Sequence, residues 1–227
     1  MDNSNILPNY ILKFSKTTAK EIDDLLREPE PVNMSGVTFD DYLPETEQEA
    51  RNLFACKRFA ERFSTRESQR LETAYDRNTN SKGLFLQGHY GTGKTLLTYA
   101  ILNELKGQGL HGRYLSVLSL FDHLNSKPSF VEANASIDII ARSTCLVLDD
   151  ILGFEYGTQE WRWLRRLIVS RIQHGLPTVY ATNFDDEELT SLFGGHLMHL
   201  IQCSTLKLLF TGRCRREPVR CSAEEVF

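Results

Sequence analysis

The octapeptide Gly88-His89-Tyr90-Gly91-Thr92-Gly93-Lys94-Thr95 limits what this chain can fold into more than any other stretch. It meets the pattern G-x-x-x-x-G-K-[ST] at every fixed position. Glycines let such a loop bend tightly enough for its N–H groups to converge on phosphate oxygens. A helix opening at Lys94 adds its positive end to the same spot. Lys94 supplies a point charge for the β and γ phosphates, and the Thr95 hydroxyl suits Mg²⁺. The flanks agree: Leu84-Phe85-Leu86 reads as a strand just before the loop, and Leu96, Leu97, Ala100 and Ile101 give an amphipathic helix just after it. Strand, phosphate loop and helix are therefore expected in that order, the bland alternative being an ordinary glycine-rich turn.

The rest of the chain is patterned to complete such a fold. Short apolar runs at Gly83–Gln87, Arg113–Leu118, Thr144–Leu148, Pro177–Ala181 and Thr205–Phe210 alternate with candidate helices at 94–106, 131–141, 160–174, 186–193 and 195–203. A further helix is expected over 47–63, where Ala50, Leu53, Phe54, Ala60 and Phe63 fall at helical spacing. Continuously apolar strands separated by helices predict a parallel sheet covered on both faces. At 227 residues, 41% hydrophobic and 25% charged, the chain has room for one such domain and a short appendage, and it is not a disordered or fibrous composition. The appendage is expected over 1–36, with one short helix at Glu21–Arg27 ended by Glu28-Pro29-Glu30-Pro31. It either docks onto something or forms a floppy tail.

Charge and cysteines narrow the setting. Residues 1–50 hold four Lys/Arg and eleven Asp/Glu, net −7, against 22 and 19, net +3, in the remainder. The body lacks the excess of a DNA-coating protein but allows local phosphate contacts. Five cysteines with no C-x-x-C pair suggest reduced thiols in a cytosol-like compartment and no zinc site. No run approaches the roughly 18 apolar residues of a membrane span, and no secretory signal is visible at Met1–Asn5. A cytoplasmic protein without a membrane partner is expected.

Two more elements carry polar groups to strand ends. Cys145-Leu146-Val147-Leu148-Asp149-Asp150 is an apolar strand closing on two carboxylates. In an open parallel sheet ligands sit at the C-terminal strand ends. There Asp149 could hold Mg²⁺ directly or through water, and Asp150 could orient or deprotonate an attacking water. Thr178-Val179-Tyr180-Ala181-Thr182-Asn183 ends likewise. Asn183 either caps the helix near Asp185–Leu189 or hydrogen-bonds the γ-phosphate or its water.

The order of these elements resembles the AAA+ ATPases, and within them the DnaC/DnaI helicase loaders and the IstB transposition helper ATPases. Gly88–Thr95 is similar to Walker A, Leu146–Ile151 to Walker B, and Ala181-Thr182-Asn183-Phe184 to sensor 1. Leu148-Asp149-Asp150-Ile151, Gly212-Arg213-Cys214-Arg215-Arg216 and Phe39-Asp40-Asp41-Tyr42 look most like the DnaI branch, and the resemblance covers roughly Gly36 to Glu217. It implies a three-layer α/β P-loop domain of the RecA-like type, with a five-stranded, mostly parallel sheet over 37–227. It implies ATP and Mg²⁺ as cofactors, with Lys94, Asp150 and Asn183 in catalysis, Gly88 to Thr95 and Arg216 on nucleotide, and Thr95 and Asp149 on the metal. Arg216 stands where sensor 2 is expected. Three departures stand out. Leu200 occupies the place of the arginine that reaches a neighbour's ATP, Asp150 replaces the usual glutamate, and the head is short and lacks zinc-binding cysteines.

The implied function is ATP-dependent loading of a hexameric replicative helicase onto single-stranded DNA, with self-association on ATP or DNA and with residues 1–36 as candidate helicase contact. A transposition helper, a nucleotide-binding scaffold with little hydrolysis and a small-molecule P-loop kinase are the rivals. Among basic residues, Arg162 and Arg166 share one side of the 160–174 helix, opposite Trp161, Leu164, Ile168 and Ile172. That side is either a DNA-facing stripe or a solvated face. Lys127 is a DNA candidate through the resemblance alone. His196 and His199 have no third metal ligand and read as packing or surface residues.

Overall fold

The computed structural model describes Ile22, Met34 and residues 36–63, 83–151 and 154–216. A 3-10 turn at Phe39–Asp41 leads into α1 (Glu47–Glu61), followed by β1 (Gly83–Gly88), α2 (Lys94–Gly107), β2 (Gly112–Ser116), α3 (Val117–Asn125) and α4 (Phe130–Ile140). Then come β3 (Cys145–Asp149), α5 (Gln159–Gln173), β4 (Thr178–Thr182), α6 (Asp186–Phe193), α7 (Gly195–Ser204) and β5 (Thr205–Phe210). The strands form one sheet in the order β2-β3-β4-β1-β5, and every pairing is parallel, so the expected mostly parallel sheet is wholly so.

Strand alternation builds the two cores. Along β3, Leu146 and Leu148 face one cluster while Cys145 and Val147 face the other. Along β1, Phe85 joins the first cluster, and Leu84 and Leu86 join the second. The first face is covered by α3 to α7 through side chains such as Phe121, Ile137, Leu167 and Ile201, and the second by α1 and α2 through Phe59, Ala60, Leu97 and Ile101. Successive side chains of a strand point to opposite faces, so two helix layers follow from apolar residues at consecutive positions. Of the predicted appendage helix Glu21–Arg27, only Ile22 lies within the described residues; it is helical and buried in the first cluster.

Two expectations need correction. The apolar run Arg113–Leu118 is not a single strand: β2 ends at Ser116, and Val117 opens a helix that was not anticipated. Ser116 caps it by accepting the Ser119 N–H at 3.1 Å, and Val117, Leu120, Phe121 and Leu124 form its buried stripe. The helix expected over 160–174 puts Leu164 and Ile168 in the first cluster with Trp161 and Ile172 packed against it, and its buried side is wider than expected, taking in Trp163 and Leu167 as well.

Arg171 is the largest fully buried side chain among the described residues. Among the described residues no carboxylate pairs with it. Its guanidinium donates to Ala141 O at 3.0 Å, Ser143 O at 2.7 Å, Pro177 O at 2.6 Å and Thr178 Oγ1 at 2.8 Å. Burial pulls its pKa down to about 10. The side chain ties the end of α5 to the turns that enter β3 and β4, its five-donor fork meeting backbone carbonyls there. Arg171→Leu should therefore lower the unfolding free energy by roughly 3 kcal/mol, since each buried group left unpaired costs about 1 kcal/mol or more. The reading is a lower urea midpoint at unchanged slope; an unchanged midpoint would contradict this account.

Candidate functional site

β3, β4 and β1 are neighbours in the sheet, so the polar residues that follow them emerge side by side. The loop after β1 curls around the Lys94 ammonium. Nζ donates to Gly88 O at 2.7 Å, to His89 O at 2.8 Å and, across from β4, to Asn183 Oδ1 at 2.6 Å. Asn183 thus contacts Lys94 instead of capping a helix, and the cap of α6 is Asp185, which accepts the N–H groups of Glu187 and Glu188. Thr92 Oγ1 donates to His89 O at 2.9 Å and closes the loop from within. His89 and Tyr90 are exposed at its tip.

Two glycines are demanded by this shape. Gly91 and Gly93 have φ of 73° and 92°, in the left-handed region that other residues seldom adopt. A Cβ at Gly91 would collide with Cys214 Sγ, and one at Gly93 would come within 2.6 Å of the Tyr42 ring. The loop is therefore sandwiched between the segment before α1 and the segment after β5. Arg215 N donates to Gly91 O at 2.8 Å, and the Arg215 guanidinium donates to Glu49 Oε2 at 2.8 Å and Leu43 O at 2.7 Å and lies over the Tyr42 ring. Arg213 pairs with Glu45. Burial drives the Tyr42 hydroxyl up to about 12.

Asp149, 2% exposed, sits at the end of β3 and accepts three hydrogen bonds. Thr95 Oγ1 and Tyr114 Oη both donate to Oδ2, at 2.9 and 3.1 Å, and Asp150 N donates to Oδ1 at 2.8 Å. Burial first, and the neighbouring Asp150 second, raise its pKa. Asp150 is exposed and has φ of 50°, the one left-handed non-glycine among the described residues. Lys94, 6% exposed, is pulled down to about 8 by burial, while Asp149 and Asp150 push it up and Arg216 pushes it down. Arg216 thus acts on the loop through its charge, with an exposed side chain. The hard oxygen donors Thr95 and Asp149 are of the kind Mg²⁺ takes, and Lys94 with the loop N–H groups is of the kind phosphates take. The residues present fit both groups.

The remaining candidates do not gather here. Leu200 is half-buried on α7, and His196 and His199 are exposed there. Arg166 is held by Asp138 at 2.9 Å, whereas Arg162 is exposed. Lys127 lies in the turn between α3 and α4. Among the described residues no group of three or more His, Cys, Asp or Glu is placed to hold a metal ion, and no helix is long and apolar enough to cross a membrane. Sequence reasoning missed Tyr114, because its role depends on strand register. Tyr114 pairs with Val147, two residues before Asp149, so its long side chain on the same face reaches the carboxylate.

Comparison with known proteins agrees with this geometry. Residues 57–201, more than half of the chain, match the family model of the IstB-like ATP binding protein. The replicative helicase loader DnaI of Bacillus subtilis (strain 168) is 29% identical over 125 residues, 53% of this chain and 39% of that loader, so the match spans well under half of the relative. A crystal structure of DnaI superposes with a TM-score of 0.64 at 25% identity, covering 83% of this chain and 95% of that one. The DnaC helicase loader gives a TM-score of 0.64 at 20% identity, covering 80% and 100%, a likeness of fold. The fold is the P-loop AAA+ fold.

The lowered Lys94 pKa makes a testable demand. In the free protein Lys94 loses its proton as pH rises through about 8, whereas bound phosphate would hold the proton on. Nucleotide affinity should be full below that value and weaken above it. Lys94→Arg should flatten this dependence, and Lys94→Ala should abolish measurable binding throughout. Calorimetric titration with ADP and ATP across the range checks it; equal wild-type affinity on both sides of about pH 8 would contradict it.

Proposed function

The chain belongs to the IstB-like ATP binding protein family, and from that premise we propose that it is an ATP-dependent loader of a hexameric replicative helicase onto single-stranded DNA, acting in the cytoplasm at replication initiation. The observation that carries the reading is the convergence of Lys94, Asn183, Thr95, Asp149 and Asp150 at three adjacent strand ends, in a chain similar to DnaI. We assign residues 37–227 to the ATP-binding domain and the acidic segment 1–36 to helicase contact.

In the assigned roles, the loop from Gly88 to Thr95 cradles the phosphates and Lys94 neutralises the charge on the β and γ groups. Thr95 and Asp149 would hold Mg²⁺, which supplies Lewis-acid charge at the phosphate oxygens. Asp150 accepts the proton of a water that attacks the γ-phosphorus, as the bond to the bridging oxygen breaks to give ADP and phosphate. Its exposed carboxylate can reach solvent, unlike that of Asp149. Asn183, already on Lys94, reports the state of the γ-phosphate to β4. Arg216 adds positive charge near the loop.

Leu200 favours a second reading, a nucleotide-dependent scaffold with little turnover, because arginine fingers contribute orders of magnitude in rate. Phosphate release separates the two. A loader should hydrolyse ATP when the helicase and single-stranded DNA are added, and Asp150→Asn should slow this by about a hundredfold while keeping ATP binding. Native mass measurement with a hexameric helicase should give a complex whose abundance differs between ATP, ADP and no nucleotide. A complex indifferent to nucleotide, or none at all, would overturn the loader assignment.

A further inference from the structure

We propose that Tyr114 is a positioning residue for the metal half of this site: its hydroxyl holds Asp149 in the one orientation that turns the Thr95 oxygen outward to Mg²⁺. The proposal rests on the nucleotide-site reading and deepens it. A carboxylate oxygen has two in-plane lone pairs, and Asp149 Oδ2 fills both, with the Thr95 hydroxyl at 2.9 Å and the Tyr114 hydroxyl at 3.1 Å. Because Thr95 must donate its only proton to Asp149, the lone pairs of its oxygen are left for a cation. Without Tyr114, the carboxylate keeps only Thr95 and the Asp150 N–H and can turn about its terminal torsion, which is broad for aspartate.

The phenol is itself fixed. Tyr99 of α2 stacks on the Tyr114 ring with centroids 4.8 Å apart and an angle of 23° between planes. Tyr99 is 3% exposed, so the ring that aims the hydroxyl is anchored in the core. With Oδ2 taken twice, Asp149 meets the metal through Oδ1 or through water, and Tyr114 is what excludes Oδ2. A hydroxyl on a strand that carries no part of the phosphate loop thereby tunes metal binding, as outer hydrogen bonds to metal-site carboxylates do elsewhere.

The test uses the full chain, ADP and Mg²⁺. ADP affinity is measured by calorimetry in excess EDTA and then along a Mg²⁺ titration, for wild type, Tyr114→Phe, Asp149→Asn and the double variant. Tyr114→Phe keeps the stacked ring, so its affinity in EDTA should stay within about twofold of wild type while the Mg²⁺ midpoint rises on the order of tenfold. Because the hydroxyl acts through Asp149, Tyr114→Phe should add nothing to the shift of Asp149→Asn. An unchanged midpoint, an equal loss with and without Mg²⁺, or additive shifts would each overturn the proposal. Should Tyr114→Phe unfold, Tyr99→Leu, which frees the ring and keeps the hydroxyl, must raise the midpoint in the same sense, and an unmoved midpoint would overturn it. Failure of wild type to bind ADP at all would instead count against the nucleotide site.

Discussion

A buried ammonium without a direct carboxylate partner organises this molecule. Lys94 is 6% exposed, yet it donates to two loop carbonyls and one side-chain amide oxygen, all neutral. A desolvated cation in neutral company is costly, and here burial is the dominant influence on the group. What retains it is the sheet. β1 lies between β4 and β5 in register from Leu84↔Val179 and Gly83↔Thr205. That register delivers Gly88 and Asn183 to the same edge, where the ammonium spans them. On the proposed reading a phosphate would add anionic contact to an ammonium that now touches only neutral oxygens, with Asp149 and Asp150 acting on it at a distance.

The loop is braced from outside as well. Tyr42 and Glu49 come from the start of the described fold and Cys214 and Arg215 from its end, and they meet on Gly91 and Gly93. Glu49 loses solvation in this contact, but the Glu45 N–H and the Arg215 guanidinium outweigh the loss and keep its carboxyl below the usual range. A partly buried ion pair of this kind contributes less through attraction than through geometry, because desolvation offsets much of the Coulomb gain. Its effect is to fix where both segments stand relative to the phosphate loop. Any movement of the loop is therefore felt by residues 42–49 and 212–216 together.

Legibility followed the range of the interactions. The phosphate loop, the strand-end aspartates and the alternation of strands and helices could be read because each rests on local pattern, a fixed spacing or an apolar period. The α3 helix was hidden because its stripe, Val117, Leu120, Phe121 and Leu124, begins inside a run that also reads as strand. Tyr114 and Arg171 were invisible for another reason. Each acts through a partner 28 to 35 residues distant, on a neighbouring strand or a turn, and nothing in a tyrosine or arginine alone announces its register. Asn183 shows the same limit from the other side: read alone it favoured a helix cap and read in the order of the elements a nucleotide contact, and the adjacency of β4 and β1 places its side chain on Lys94 and off the helix end.

The three clustered arginines bear on the place that Leu200 occupies. An arginine that completes a neighbour's site must extend from its own subunit unpaired. Arg213 is held by Glu45, and Arg215 by Glu49, Leu43 O and the Tyr42 ring, while the exposed Arg216 has its charge near enough to lower the Lys94 pKa of the same chain. Arg213 and Arg215 are thus engaged within their own chain, and Arg216 remains exposed. On the proposed reading, then, full hydrolysis needs a cation from a partner, and nucleotide binding by itself sets the state of the loader. That division suits a protein whose task is to hold and release, since a ligand can shift a conformational equilibrium by its differential affinity alone, without turnover. On that reading, hydrolysis is the step a partner would control.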